Sequence, residues 1–72
     1  MGLVVALGEP AHVQGFALAG AALAPADDPE SVRGAWSELS DEVSVVILSR
    51  AAAQALRDRR DHDRILRVVM DP

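Results

Sequence analysis

The sequence predicts a small α/β domain built on a parallel sheet, and two observations carry this prediction. Short aliphatic runs alternate with segments of helical periodicity along the chain, which is the pattern of repeated strand–helix units. Several of these runs are continuous rather than interrupted by polar residues, as expected for strands covered on both faces. With 72 residues, the chain is expected to form one domain, residues 1–72, whose core is marginal by itself.

The first strand–helix unit is predicted at the N-terminus. Residues 3–7 form an aliphatic run, and Pro10 follows the turn after it. Proline suits the first position of a helix because no amide donor is needed there. Val13, Phe16 and Gly20 then recur at helical spacing. This predicts a short helix that lies on the first strand, with Phe16 as a core anchor and Gly20 as the helix C-cap.

The second unit begins with the least convincing strand, residues 21–26. This segment is alanine-rich and contains Pro25, which favours a place at the edge of a sheet. Asp28 and Pro29 then predict an N-cap and a first-turn proline. One apolar face follows at helical spacing and comprises Val32, Ala35, Trp36 and Leu39.

The third unit contains the most strand-like segment of the chain. Residues 43–48 are almost entirely β-branched or aliphatic, which predicts a central strand. Ser49 is a suitable N-cap for a third helix, and residues 65–70 predict the fourth strand. The predicted inner edge of the third helix comprises Ala52, Ala55, Leu56 and Arg59.

Right-handed crossovers restrict the topology. If the first strand is internal and the third lies beside it, the strand order is 2-1-3-4. The prediction is therefore a small flavodoxin-like (Rossmann-like) three-layer fold, with a four-stranded parallel sheet and three helices. The first helix covers one face, and the second and third share the other. Part of the first face, over the third and fourth strands, is expected to stay apolar and available. Whether odd or even positions of residues 43–48 line it is open from the sequence.

Composition excludes several classes of function. The formal net charge of −4 argues against a nucleic-acid surface, which needs a basic patch. All seven basic residues are arginines, so a P-loop, which needs a lysine, is excluded. Cysteine is absent, and no apolar run approaches the length that spans a bilayer. Without a signal-peptide pattern, the chain is expected to be soluble and cytoplasmic, with no direct membrane insertion.

No catalytic, cofactor or metal site is predicted. Glu9 and Ser49 are expected at the carboxyl ends of adjacent strands, the usual ligand crevice of an open α/β sheet. Turn geometry and helix capping are favoured over a small-molecule site there, because convergent polar groups are few. A receiver-type phosphorylation site lacks its aspartates and its lysine. His62 lies between Asp61 and Asp63, where a solvated loop is favoured over a weak metal site.

The segment Gly-Phe-Ala-Leu-Ala-Gly at residues 15–20, about ten residues after an apolar strand, resembles a motif of one known family. That family comprises the F-subunits of V-type and archaeal-type rotary ATPases. Its acidic entry into the second helix is similar to residues 27–30, and its third strand to residues 42–49. Its fourth strand is similar to residues 65–72. Each piece is weak alone, but together they cover nearly the whole chain in order.

The resemblance implies a non-catalytic component of the central stalk, or rotor, of a V/A-type ATPase or ATP synthase. Such an F-subunit binds the coiled-coil D-subunit and helps couple ATP hydrolysis or synthesis to proton or sodium translocation. It would lie peripheral to the membrane, bound to other ATPase subunits. The chain departs from the family pattern in its short, alanine-rich second strand. It also lacks the C-terminal helical tail with which family members contact the catalytic head, so that regulatory role is not expected.

The candidate partner-binding residues are Phe16, Trp36, Arg57, Arg60, Arg64 and Arg67. For the two aromatic residues, core packing is favoured over partner contact. For the arginines, a solvated face paired with nearby aspartates is favoured. The alternative function is a degenerate receiver-like or flavodoxin-like interaction adaptor unrelated to rotary ATPases. A small enzyme is disfavoured because no acid–base or nucleophile set can be identified.

Overall fold

The computed structural model describes residues 2–59, 62 and 64–70. Within them, strands and helices alternate along the chain. The strands are β1 (Leu3–Gly8), β2 (Ala22–Pro25), β3 (Val43–Leu48) and β4 (Leu66–Val69). The helices are α1 (Pro10–Val13), α2 (Pro29–Ser37) and α3 (Arg50–Ala55), and a 3-10 helix (Gln14–Ala19) follows α1 directly.

The four strands form one parallel sheet of order β2-β1-β3-β4. This confirms the predicted strand order and a small flavodoxin-like α/β fold. β3 is internal, as its continuous apolar sequence predicts. β2 is an edge strand that ends at Pro25, a position where the missing amide donor of proline is tolerated.

The helices occupy the two faces of the sheet as predicted. α2 and α3 pack together on one face, over the main hydrophobic core. α1 contacts β1 and β2, and its Val13 is buried outside that core, on the opposite face. The buried residues of the main core are Val5, Leu7, Ala26, Val32, Trp36, Val43, Val46, Leu48, Ala52, Leu56 and Ile65.

The first helix differs from the prediction. The α-helical turn ends at Val13, and the chain continues as a 3-10 helix to Ala19. Val13 is buried, whereas Phe16, in the 3-10 segment, is only half-buried and lies outside the main core. The prediction of Phe16 as a core anchor is wrong.

The end of that helix is confirmed at Gly20. Gly20 has φ 87°, in the left-handed region, and its amide donates to the carbonyl oxygens of Ala17 and Phe16. A left-handed residue that closes a helix in this way is most often glycine, because a side chain there is strained.

α2 begins and packs as its sequence predicts. The Asp28 side chain accepts a hydrogen bond of 2.7 Å from the Ser31 amide, and Pro29 occupies the first helical position. Val32 and Trp36 are buried, one turn apart on the face that meets the sheet. The N-cap bond and the position of Pro29 define the start of the helix.

α3 and β4 are shorter than predicted. α3 ends at Ala55, with Leu56 as its C-cap, so Arg59 lies beyond the helix rather than on its inner edge. Ala52 and Leu56 are buried as expected. Among the described residues, no helix is long and apolar enough to cross a membrane.

Candidate functional site

One face of the sheet is only partly covered by the residues that the structure describes. Register places aliphatic side chains of β1, β3 and β4 on the face opposite the main core, because residues at alternate positions share a face. Five of them are not fully buried. We call this set the open face. It comprises Val4, Val45, Ile47, Leu66 and Val68. α1 and the 3-10 helix lie on the same side, next to β1 and β2.

The most exposed residues of the open face lie on β4. Val45 and Ile47 are half-buried, whereas Leu66 is 61% exposed and Val68 is 42% exposed. The predicted apolar area over the third and fourth strands is therefore confirmed. The structure also answers the question of parity for residues 45–48. Val45 and Ile47 lie on the open face, and Val46 and Leu48 are buried in the main core. Val43, on the other side of a register irregularity, is buried in the main core as well.

Phe16 is the sequence-predicted candidate that the structure brings to this face. Its side chain lines a groove of about 290 Å³ together with Val4 and Ile47. Small residues complete the groove, including Gly20 and Ala22. A half-buried aromatic wall beside an aliphatic floor is the kind of surface into which an apolar side chain of a partner can pack.

Trp36 is not available for partner contact in this structure. Its side chain is 0% exposed and belongs to the main core. The ring of His62 meets it edge-on, with the ring centroids 5.6 Å apart. The guanidinium carbon of Arg67 lies 4.5 Å from the Trp36 ring centroid. The placement of Trp36 among partner-binding residues is therefore corrected, and the packing interpretation is supported.

The Arg67 side chain also makes its hydrogen bonds within the fold. Its guanidinium donates hydrogen bonds to the carbonyl oxygens of Leu56, at 3.1 Å, and Arg59, at 2.8 Å. Together with the contact to Trp36, these bonds hold the connection after α3 against β4. A planar five-donor group suits this task better than the ammonium of lysine.

Of the other candidate arginines, the structure describes Arg57 and Arg64. Arg57 is exposed. Arg64 is exposed and forms an ion pair of 2.7 Å with Asp41, which is 23 residues away in sequence and is not one of the nearby aspartates expected from the sequence. Arg60 lies outside the described residues. The open-face residues Ile47, Leu66 and Val68 were missed as candidates, because their common face depends on strand register.

The carboxyl ends of β1 and β3 carry a small polar crevice of about 200 Å³, lined by Glu9, His12, Ser49, Arg50 and Met70. The Ser49 hydroxyl donates to the Glu9 carboxylate at 2.6 Å. It also accepts a hydrogen bond from the Ala52 amide at 3.2 Å, as the N-cap of α3. This location at the strand ends agrees with the prediction for Glu9 and Ser49.

The electrostatics of the crevice favour an ionised carboxylate. The hydrogen bond from Ser49 lowers the pKa of Glu9 from its ordinary value, with a further contribution from the Glu9 backbone amide. The Nε2 atom of His12 lies 3.7 Å from the second carboxylate oxygen, so a protonated His12 adds a weak attraction. The Ser49 hydroxyl is buried. Its oxygen accepts from the Ala52 amide, so it serves as the N-cap of α3.

Metal binding has no support within residues 2–59, 62 and 64–70. Those residues contain no group of three or more His, Cys, Asp or Glu side chains that could hold an ion. The pair Asp61 and Asp63, considered with His62 from the sequence, lies outside the described residues.

We expect the free energy of unfolding to decrease as the pH falls below about 4.5, the ordinary pKa of a glutamate, partly because of Glu9. Its pKa is lower in the folded state, so its stabilising contribution is complete above the unfolded pKa. That contribution is lost as the pH falls through the folded pKa. Glu9→Gln should flatten this part of the profile, measured by urea unfolding at a series of pH values.

The pKa of Asp28 is lowered for a similar reason, because its carboxylate accepts a hydrogen bond from Ser31. Asp28 is unchanged in the Glu9→Gln variant. Some loss at low pH should therefore remain. Glu38→Gln, on the exposed end of α2, is the control and should leave the profile unchanged. Equal profiles for wild type and Glu9→Gln would contradict the role of the Ser49–Glu9 bond.

Comparison with known families and curated proteins identifies no relative. No family model matches the chain, and no curated protein matches it either. Its function is therefore inferred from the residues of the chain and from the resemblance of its motifs.

Proposed function

We propose that this chain is a non-catalytic docking module whose open face is covered by another polypeptide. The observation that carries the proposal is the exposed aliphatic surface of β3 and β4, with Leu66 and Val68 at 61% and 42% exposure. Parallel sheets are normally covered on both faces. Within residues 2–59, 62 and 64–70, the helices cover one face and only the β1–β2 half of the other.

The occupant that best fits this surface is an amphipathic helix. Two neighbouring strands present a width of about 10 Å, since strands lie about 4.8 Å apart. This matches the diameter of one helix with its side chains, about 10 Å. A helix seated there would lie beside α1, in the layer where three-layer α/β domains place their own helices. The groove beside Phe16, with Val4 and Ile47 at its floor, would receive one of its apolar side chains.

More specifically, we propose a role like that of the F-subunit in the central stalk of a V/A-type ATPase or ATP synthase. The resemblance at residues 15–20 and the order of the later motifs support it. The helical partner would then be the coiled-coil D-subunit, and the module would help couple ATP hydrolysis or synthesis to proton or sodium translocation. In that setting the chain lies in the cytoplasm, peripheral to the membrane.

The chemistry of the crevice supports a binding role rather than a catalytic one. The Ser49 hydroxyl donates to Glu9 and accepts from the Ala52 amide, so its one donor is used within the fold. Nucleophilic catalysis needs a hydroxyl that donates to a base and faces a substrate. Ser49 is instead buried at the start of α3.

An interaction adaptor unrelated to rotary ATPases is the second candidate, because the open face would serve either role. The two are separated by the genes beside this one. Genes for ATPase head and stalk subunits would support the rotor role, and their absence would favour the adaptor.

Val68→Lys should abolish co-purification with the coiled-coil stalk protein encoded nearby, because it places a charge on the open face. Val69→Lys is a matched control. Val69 is the next residue of β4, it is 51% exposed, and its side chain points to the opposite face. We expect Val69→Lys to retain the partner. Both variants are co-expressed with the partner, and the bound fraction is measured by affinity capture.

Two outcomes would contradict the proposal. If wild type fails to bind the coiled-coil stalk protein, the rotor role is wrong. If Val68→Lys and Val69→Lys bind a partner equally well, the open face is not the docking surface. Circular dichroism of both variants would show whether each retains the fold.

A further inference from the structure

The outer edge of β4 is open, unlike the opposite edge of the sheet. β2 ends at Pro25, and proline is one of the devices that block pairing at an edge. β4 contains no proline, and within the described residues it has β3 as its only neighbouring strand. The guanidinium of Arg67 reaches the carbonyl oxygens of Leu56 and Arg59. Its charge is therefore not placed where it would prevent another strand from pairing with β4.

The direction of the backbone groups follows from one hydrogen bond. The Met70 amide donates to the Leu48 carbonyl oxygen at 2.7 Å, so Met70 faces β3. Successive residues of a strand direct their backbone groups to alternate sides. Val68 therefore also faces β3, and Arg67 and Val69 direct their amide and carbonyl groups outward.

We propose that a second copy of this chain pairs antiparallel with β4 along this edge, about a two-fold axis at Val68. In this register Arg67 of each copy lies opposite Val69 of the other. The outward backbone groups of both residues are then all satisfied, by the two bonds that each such pair exchanges. The two sheets become one, with both open faces on the same side.

Side chains favour this register over the one with its two-fold axis at Arg67. On the open face, Val68 meets Val68 of the second copy, and Leu66 meets Met70 of the second copy. Both are apolar cross-strand pairs. A two-fold axis at Arg67 would instead place two arginines directly opposite each other, which is unfavourable. Because each copy supplies both halves of every pair, the surface is self-complementary, as a two-fold interface requires.

Disulfide trapping tests the register, and the chain has no cysteine of its own to interfere. Val68→Cys should form a covalent dimer under mild oxidation. The two Cα atoms of such a pair lie about 4.5 Å apart, within the range of a disulfide. Leu66→Cys is the control. Leu66 lies opposite Met70 of the second copy, and Leu66 of that copy is four positions away from this Met70, about 13 Å along the strand.

If the disulfides formed by random collision alone, Leu66→Cys would cross-link faster than Val68→Cys, because Leu66 is more exposed, at 61% against 42%. We expect Val68→Cys to cross-link at least tenfold faster at equal concentration. Equal rates, or faster cross-linking of Leu66→Cys, would overturn the proposed register.

Sedimentation velocity of the full chain tests the dimer itself. Val69→Pro removes an outward amide donor and leaves the bonds to β3 in place, whereas Val69→Ala keeps the donor. We expect wild type and Val69→Ala to associate reversibly with increasing concentration, and more so at high salt because each copy carries a net charge of −4. Val69→Pro should stay monomeric with an unchanged circular dichroism spectrum.

A wild-type chain that stays monomeric at every concentration, or a Val69→Pro variant that associates as Val69→Ala does, would overturn the proposal. Binding of an unrelated extended peptide to this edge without self-association would also overturn it. The dimer at the β4 edge does not depend on the docking of a helix on the open face. Val69→Pro changes the sheet edge alone, so it should lose the dimer and still capture the coiled-coil partner.

Discussion

Replacing Trp36 with alanine should leave most of the protein unfolded at room temperature. Trp36 is the largest fully buried side chain of the described residues, and truncation of a buried tryptophan costs about 3–5 kcal/mol. Domains are stabilised by only about 5–15 kcal/mol in total, and a chain of 72 residues belongs near the lower end. The measurement is urea unfolding followed by far-ultraviolet circular dichroism, which does not depend on tryptophan emission.

Two controls accompany this variant. Trp36→Phe keeps an aromatic ring in the core and should cost less than the alanine variant. Leu18→Ala removes a side chain that is 96% exposed and should change stability by less than about 0.5 kcal/mol. If Trp36→Ala unfolds at the same urea concentration as wild type, Trp36 is not a core residue, and a role in partner contact becomes tenable.

Arg67→Met should destabilise the protein by about 2–3 kcal/mol, because hydrogen bonds from a charged group contribute about 1.5–3 kcal/mol. The variant leaves the carbonyl oxygens of Leu56 and Arg59 without the donors they have now. It also removes the cation from the face of Trp36. Arg67→Lys should recover only part of the loss, since an ammonium does not present a planar fork to two carbonyl groups. Urea unfolding at neutral pH measures both.

Arg57→Met and Arg64→Met are the matched controls for Arg67. Arg57 is exposed, and the ion pair of Arg64 with Asp41 is exposed as well. Such pairs contribute about 0–1 kcal/mol. A loss for Arg57→Met as large as for Arg67→Met would show that the contacts of Arg67 are not what stabilises the connection after α3.

The order of elements could be predicted because it depends on local patterns. The β-branched run of β3, the Asp28–Pro29 start of α2 and the Ser49 N-cap each restrict the backbone within a few residues. The handedness of crossovers then left few topologies. The strand order and the uncovered part of the sheet were predicted from these local patterns together with the handedness of the crossovers.

The candidate site was less predictable, because its residues come together only through register. Phe16, Ile47 and Val68 share a face after β1, β3 and β4 are aligned, and no spacing in the chain encodes that alignment. The contacts of the arginines could not be predicted for the same reason. Arg67 lies among charged residues in sequence, yet its guanidinium contacts Trp36 and two backbone carbonyl groups.

The sequence by itself determined the strands, most of the helices and their order, since hydrophobic period and capping act over short distances. Tertiary structure alone decided which aliphatic positions are buried and which are open. It also turned the first helix from α to 3-10 geometry at Val13 and left Phe16 beside the groove. The physical reason is that burial depends on which strand lies alongside, a relation between residues far apart in the chain.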